Sequence, residues 1–257
     1  MGKIGGHARR WALIILAHLL VVLAWHLFVD WGEVPAYIMP TPMDTVLSLR
    51  GEYNWVHNTW ITASEVFGGY ILAVVVGVGL ALLFSWFATF ATFLMPLVVS
   101  LNMIPKVALG PLFIVWFDYG LGPNIIIAFT ICFLPILITT TRGLQEVEPD
   151  LLDLVRSLNG SRWQIFTKIQ LPGSLPYIFS GMKVAVVLAV AGAIVGEFIA
   201  SEEGLGYLML QVQVDLDTPA MFMAVLLITF VGVLLYGIVI GLERLFVKLD
   251  SRVEGGI

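Results

Sequence analysis

Apolar runs of membrane-spanning length alternate along this chain with short polar breaks. Three stretches, Val66–Pro105, Tyr119–Thr141 and Thr218–Leu242, hold no Asp, Glu, Lys or Arg. About 20 consecutive apolar residues carry a helix across the hydrocarbon core of a bilayer. A helix satisfies its own backbone there, which an open strand does not. The pattern predicts six spans, at Trp11–Val29, Val66–Trp86, Thr92–Pro105, Gly122–Thr141, Tyr177–Ile199 and Pro219–Leu242. The third is short and stops at Pro105. The apolar piece after it, Val107–Phe117, is too short to cross alone and reads as a half-helix or re-entrant segment packed within protein. No soluble domain remains once these are removed. Residues 1–257 therefore read as one all-α integral membrane domain, with a connector at 30–62 and a polar loop at 142–173.

That polar loop breaks the pattern most sharply. Arg142 to Pro172 holds eight charged residues: Arg142, Glu146, Glu148, Asp150, Asp153, Arg156, Arg162 and Lys168. Leu151, Leu154, Val155 and Leu158 follow the i, i+3, i+4, i+7 spacing of one apolar helix face. Pro149 suits the start of that helix. Asn159-Gly160 suits its end, since both residues tolerate positive φ. Ser161-x-x-Gln164 has the form of a capping box and opens a second helix, with Trp163, Phe166 and Ile169 on its apolar side. Leu171-Pro172 is expected to end it, and Pro172-Gly173-Ser174 to turn the chain back. Two short helices meeting at a sharp corner suit docking into a partner's cleft. An amphipathic helix lying on lipid headgroups is the plainer reading, but it needs no corner and usually carries an excess of base.

Composition agrees: 59% of residues are hydrophobic and 12% charged, against roughly a quarter charged in soluble domains. Met1–Trp31 has a basic start and a long apolar run with no small-residue cleavage site after it, which reads as a retained first span. The single cysteine, Cys132, lies in an apolar run and reads as a buried small hydrophobe. No basic nucleic-acid patch is present, and His18 and His26 do not make a metal site. Charge distribution sets sidedness. With the N-terminus inside and six crossings, Lys3, Arg9, Arg10, Arg142, Arg156, Arg162, Lys168, Arg244, Lys248 and Arg252 fall inside, ten of thirteen basic residues. The outside then holds Asp30, Glu33, Asp44, Glu52, Asp118, Glu202, Glu203, Asp215 and Asp217. In the outer connector, Met39-Pro40-Thr41-Pro42 favours extended backbone, and Asp44 is expected to cap a short surface helix.

A few charges fall at depth: Glu65, Lys106, Lys183 and Glu197. Such groups face protein or water rather than lipid. Lys106 and Glu197 are therefore candidates for the solute pathway or its gate. For Lys106 the alternative is snorkelling or pairing with an acid. Glu197 reads as a structural or gating hydrogen-bond acceptor. Gly181, Ala185, Ala189 and Ala193 recur every four residues on the fifth span, and Gly192-x3-Gly196 adds another small pair. Small residues let helices approach closely in lipid, at a subunit or gate interface or within one subunit.

The polar loop resembles the cytoplasmic signature of binding-protein-dependent ABC importer permeases, E-A-A-x3-G-x9-I-x-L-P. Asp153, Leu154 and Val155 take the E-A-A positions, Asn159 the glycine position, and Ile169, Leu171 and Pro172 the end. Asp for Glu keeps the charge, while Asn replaces Gly one residue before Gly160. Met39-Pro40-Thr41-Pro42, Ile104-Pro105-Lys106-Val107-Ala108-Leu109-Gly110-Pro111-Leu112-Phe113 with Trp116-Phe117, and Glu197-Phe198-Ile199-Ala200 with Gly204-Leu205-Gly206-Tyr207-Leu208 resemble the branch that handles nitrate, sulfonates, taurine and pyrimidine precursors. The resemblance implies a type I importer permease fold with six spans and a cytoplasmic coupling helix pair. It implies a multi-pass subunit of the bacterial cytoplasmic membrane with both termini cytoplasmic. It implies a second permease copy, two cytoplasmic ATPase subunits and a periplasmic or lipid-anchored solute-binding protein. The coupling residues it implies are Asp153, Leu154, Val155, Arg156, Asn159, Gly160, Trp163, Ile169, Leu171 and Pro172. Lys106, Gly192, Gly196 and Glu197 are the pathway or gate residues. The chain has no G-x4-G-K-[ST] phosphate loop, so it is expected to be non-catalytic and to hold no cofactor, with ATP and magnesium in the partner. A stand-alone ion-coupled secondary transporter is the alternative, although no duplicated half is evident. A membrane-embedded enzyme lacks support in any catalytic motif.

Overall fold

The computed structural model describes residues 2–146 and 149–247. Eleven α-helices account for nearly all of them: α1 Gly2–Trp31, α2 Pro42–Leu47, α3 Trp55–Trp86, α4 Ala88–Asn102, α5 Gly110–Phe117, α6 Leu121–Gln145, α7 Pro149–Ser157, α8 Arg162–Ile165, α9 Leu171–Ala200, α10 Leu205–Val214 and α11 Thr218–Phe246. A π turn, Phe166–Gln170, joins α8 to α9, so Arg162–Ala200 runs as one 39-residue helical stretch. Four further helices are long and apolar enough to cross a bilayer: residues 12–31 of α1, and α3, α6 and α11.

A further apolar stretch, between α3 and α6, is bent. Residues 89–102 and 106–117 form a pair bent by 79°. Fifteen residues of α4 rise only about 22 Å, short of a hydrocarbon core of about 30 Å. Pro105 supplies the break, because proline lacks an N–H and pushes the residue before it out of the helical region. The chain resumes as one 3₁₀ turn, Lys106–Leu109, and then α5.

The core is the packing of α3 and α9 on either side of α6. Small residues set how close they come. At Ala128 of α6 both neighbours present glycine: a Cβ on Gly69 of α3 would lie 2.6 Å from Ala128 Cβ, and one on Gly192 of α9 2.8 Å from Ala128 Cα. One turn away, a Cβ on Gly196 would meet Asn124 Oδ1 at 2.9 Å. Without lipid-driven attraction between helices, such close van der Waals contact is what holds them. Val66, Ala73, Cys132, Ile136, Ala185, Ala189 and Ala193 fill the rest of this seam, fully buried. The recurring small residues of the fifth span therefore serve packing within one chain.

α11 closes the bundle over α9 and α10, with an ion pair from Lys183 Nζ to Glu243 Oε1 at 2.9 Å. The deep charge at Lys183 is thus neutralised inside the chain. α1 stands at the periphery and exposes most of its surface, including Leu19, Val21 and Phe28. Its tie is Trp25, whose Nε1 donates to Pro40 O at 3.0 Å and whose ring lies 5.7 Å from Phe222. In the connector, Thr41 is the N-cap of α2 and Asp44 the third helical residue, the two completing a capping box. Asp44 thus supports the cap that Thr41 makes. Of the basic cluster expected after α11, Lys248 and Arg252 lie outside the described residues.

The connector is pinned to α11 by a polar contact at the surface. Tyr53 Oη donates to Asp217 Oδ2 at 2.6 Å, while Asp217 Oδ1 accepts the Ala220 N–H at 3.1 Å and caps α11. The hydrogen bond to the Asp217 carboxylate, followed by burial, raises the Tyr53 phenol from its ordinary 10.0 to about 12. A raised phenol favours the folded state below its unfolded value and loses that contribution as pH rises through its folded value. Docking of the connector is therefore predicted to hold to about pH 10 and to weaken towards about pH 12. In an alkaline phenolate titration, wild type minus Tyr53→Phe is predicted to show one phenol ionising near the upper value; a difference centred at the ordinary value would contradict the contact.

Candidate functional site

Two groups of residues stand out, at opposite ends of the bundle. The first is the α7–α8 element. α7 ends in a Schellman arrangement: the Gly160 N–H donates to Val155 O at 2.8 Å, and Asn159 takes φ 56°. Asparagine tolerates this left-handed position, so the corner stays at the residue where the signature has glycine. Gly160 does not share the positive φ expected of it. It is needed for room instead, since a Cβ there would lie 2.3 Å from Val155 Cγ1. Ser161 then caps α8: its Oγ accepts the Gln164 N–H at 3.3 Å, and Gln164 Oε1 accepts the Ser161 N–H at 2.7 Å.

The second helix does not end at Leu171-Pro172. It continues into α9 through the π turn, in which the Leu171 N–H donates to Phe166 O, five residues back. In a regular helix the Pro172 ring would strike the carbonyl of Lys168; the wider turn spans that residue. The second helix of the polar loop is therefore the cantilevered start of the fifth span rather than a separate helix.

Its two sides differ. Phe166 is buried, 5.5 Å from the Trp86 ring and 5.8 Å from Trp163. Gln170 Nε2 donates to Leu144 O at 3.3 Å, and Ile169 and Leu171 are half-buried beside it. These contacts seat the element on α3 and α6. Facing away, Leu154, Leu158 and Trp163 are 56%, 73% and 61% exposed. Asp153 is exposed and Val155 half-buried on the same helix. Arg156 lies in α7, and its side chain is not among those described. A cavity of about 260 Å³, lined by Leu152, Arg162, Ile165, Phe166, Ser85 and Trp86, separates the element from the end of α3.

The second group lies where α3, α6, α9 and α10 meet. Glu65, Thr62, Asn124 and Glu197 are almost wholly buried. Glu197 Oε1 accepts from Thr62 Oγ1, and Glu197 Oε2 from the Gly206 N–H. Thr62 Oγ1 accepts the Leu205 N–H at 2.8 Å, Asn58 Oδ1 the Gly204 N–H at 3.0 Å, and Glu65 Oε1 the Asn124 Nδ2 at 2.7 Å. Gly204, at φ 106°, and Gly206 let the backbone lie against the carboxylate: a Cβ on either would fall 2.5 or 2.7 Å from a Glu197 oxygen. Glu197 is thus a hydrogen-bond acceptor closing the loop between α9 and α10. Gly192 and Gly196 sit in the α6–α9 seam described above, against Ala128 and Asn124. Lys106 Nζ donates to Asn102 O and Oδ1. It does not meet Glu197, and the α5 that follows packs on α9 with Gly110 against Ile199.

The buried partners Thr62, Glu65 and Asn124 did not stand out as a set in the sequence, nor did α10. One signal was present: Glu65 and Glu197 fall near the same end of their spans, as does Asn124, and a buried acid must find donors.

A bundle of apolar helices, one of them broken, with a polar two-helix element cantilevered from one end, defines a membrane transport subunit. The chain belongs to the family of binding-protein-dependent transport system inner membrane components, whose model matches residues 69–248. It is a permease subunit of a binding-protein-dependent ABC importer. It is 34% identical over 226 residues to a probable ABC transporter permease of Haemophilus influenzae, covering 87% of this chain and 91% of that one. It is 32% identical to the riboflavin transport system permease RibX of Chloroflexus aurantiacus, covering 91% and 88%. The formylaminopyrimidine transport permease ThiX of Halalkalibacterium halodurans is 28% identical, covering 92% and 95%. The fold matches a chain of the inward-facing MetNI methionine ABC transporter with a TM-score of 0.63, at 18% identity, over 74% of this chain and 95% of that one. Family membership sets aside the stand-alone secondary transporter.

The Asn159 corner makes a direct prediction. Asn159→Gly is expected to keep the thermal midpoint of the purified protein, while Asn159→Val, β-branched in a left-handed position, loses about 1–2 kcal/mol. Equal midpoints for the two variants would contradict the assigned geometry.

Proposed function

We propose that the α7–α8 element is the coupling surface for a cytoplasmic ATPase subunit, and that the α8–α9 stretch carries its movement to the far end of the bundle. The observation that carries this is the exposed apolar face of Leu154, Leu158 and Trp163, set on a segment whose opposite side is anchored by Phe166. Apolar residues clustered this way mark a protein contact. Asp153, Val155, Arg156, Asn159 and Gly160 shape the face, and Ile169, Leu171 and Pro172 join it to the membrane. From Arg162 to Glu197 the helix spans about 50 Å at 1.5 Å per residue. A push at one end therefore reaches the Glu197 cluster at the other, and rocking of this helix against its neighbours alternates access.

In this reading two copies of the chain form the translocation pathway, two ATPase subunits bind ATP and magnesium, and a solute-binding protein delivers the cargo on the opposite face. The chain itself is non-catalytic. Both termini and α7 lie in the cytoplasm, supported by the bias of basic residues. The cargo is a small anionic or heteroaromatic solute, such as nitrate, a sulfonate, taurine or a pyrimidine precursor. The named relatives and Lys106, a half-buried cation beside the broken span, support that class. Lys106 and Glu197 belong to the pathway and its gate.

The test is capture of the ATPase subunit by the tagged permease from membranes, alongside solute uptake. Leu154→Asp with Leu158→Asp is expected to lose both the captured ATPase and uptake, while the permease still reaches the membrane. Asp153→Arg is expected to cut uptake about tenfold or more, equivalent to about 1.4 kcal/mol of lost coupling. Full capture and full uptake in these variants would refute the assignment.

A further inference from the structure

We infer that Glu65 carries a proton on Oε2 and donates it to Glu197, and that this acid–acid hydrogen bond pins the Ser201–Gly206 loop and α10 to the bundle. The two carboxyl groups face each other between α3 and α9: Thr62, one turn before Glu65, donates to Glu197, and Asn124, which donates to Glu65, lies against Gly196 beside Glu197. Ionised carboxylates only accept, so a hydrogen bond between two of them requires one proton. The surrounding donors say where it sits. Both Glu197 oxygens are already served, one by the Thr62 hydroxyl and one by the Gly206 N–H. Glu65 Oε1 is served by Asn124, whereas Glu65 Oε2 is buried with no donor. Turning the Asn124 amide over would leave Glu65 short of two donors rather than one. Of the four carboxyl oxygens, the one that no neighbour serves is therefore the one that bears the proton.

The setting favours the charge on Glu197. Its carboxylate lies on the first N–H groups of α10, a ten-residue helix whose N-terminus is positively polarised. Gly204 and Gly206 bring those groups onto it. Among the described residues, no Lys, Arg or His lies within ion-pair distance of either carboxyl; the nearby His57 pairs with Glu203 at 3.1 Å. A shared proton is then the means by which two buried acids coexist without a cation.

The pair is chemically unequal, and amide substitution separates its members. Glu65→Gln retains a donor towards Glu197. Glu197→Gln presents an NH₂ where Thr62 or Gly206 needs an acceptor. The detergent-purified Glu65→Gln protein is expected to keep the wild-type thermal midpoint, and Glu197→Gln to lose several degrees. Infrared difference spectroscopy of wild type minus Glu65→Gln is expected to show one protonated-carboxyl C=O band that shifts in heavy water. The infrared result stands even where Glu197→Gln fails to fold. Absence of that band would overturn the proposal, with a water molecule or a cation serving Glu65 Oε2 instead. Equal midpoints for the two Gln variants would also overturn it.

Discussion

Glu197 is a carboxyl group buried where three helices and a loop meet, in a molecule built to sit in hydrocarbon. Burying such a group without partners costs several kcal/mol or more. The architecture at that end follows from meeting the requirement. Thr62 and Glu65 must lie on one face of α3, Asn124 must begin α6 at the same level, and the chain after α9 must fold back so that Leu205 and Gly206 offer their N–H groups. Two glycines in three residues give that backbone room to touch the carboxylate. Removing the acid would strand donors that have no water to turn to.

Close packing supplies the rest. Ala128 lies between Gly69 and Gly192, so α3 and α9 approach α6 on both sides as nearly as backbone permits. The polar cluster sits beside this tight layer, and the α7–α8 element hangs from the other end of α9. Because the π turn joins α8 to α9 without a break, α8 is continuous with the helix that carries Gly192, Gly196 and Glu197. The stiffness of one continuous helix thus links the exposed α7–α8 face to the polar cluster at the other end of the bundle.

Much of this was legible in the amino-acid sequence. Charge-free runs marked the spans, Pro105 marked the break, and the Ser161/Gln164 pair marked the second helix start, because each is a local effect of backbone chemistry. The apolar face of α7 was visible as periodicity. What was hidden was non-local. Pro172 reads as a stop signal, and only the register upstream lets a wide turn absorb it. Asn159 and Gly160 both read as candidates for positive φ, and the contact of Gly160 with Val155 decides between their roles. The small-residue stripe of the fifth span gave no indication of which helix it faces, and Thr62, one of the donors to Glu197, lies 135 residues away along the chain.

Transmission along the bundle requires Arg162–Ala200 to move as one body. Spin labels at Lys168 and Phe198, both exposed and within that stretch, measure this by pulsed electron resonance when only one copy of the permease carries them. The distance between them is predicted to be the same with ATP bound to the partner subunits and in the nucleotide-free state, while in a second sample, with Lys168 alone labelled in every permease copy, the distance between copies changes. A change in the distance within the chain between the two states would show that the helix bends, and would contradict the transmission of force from the α7–α8 surface to Glu197.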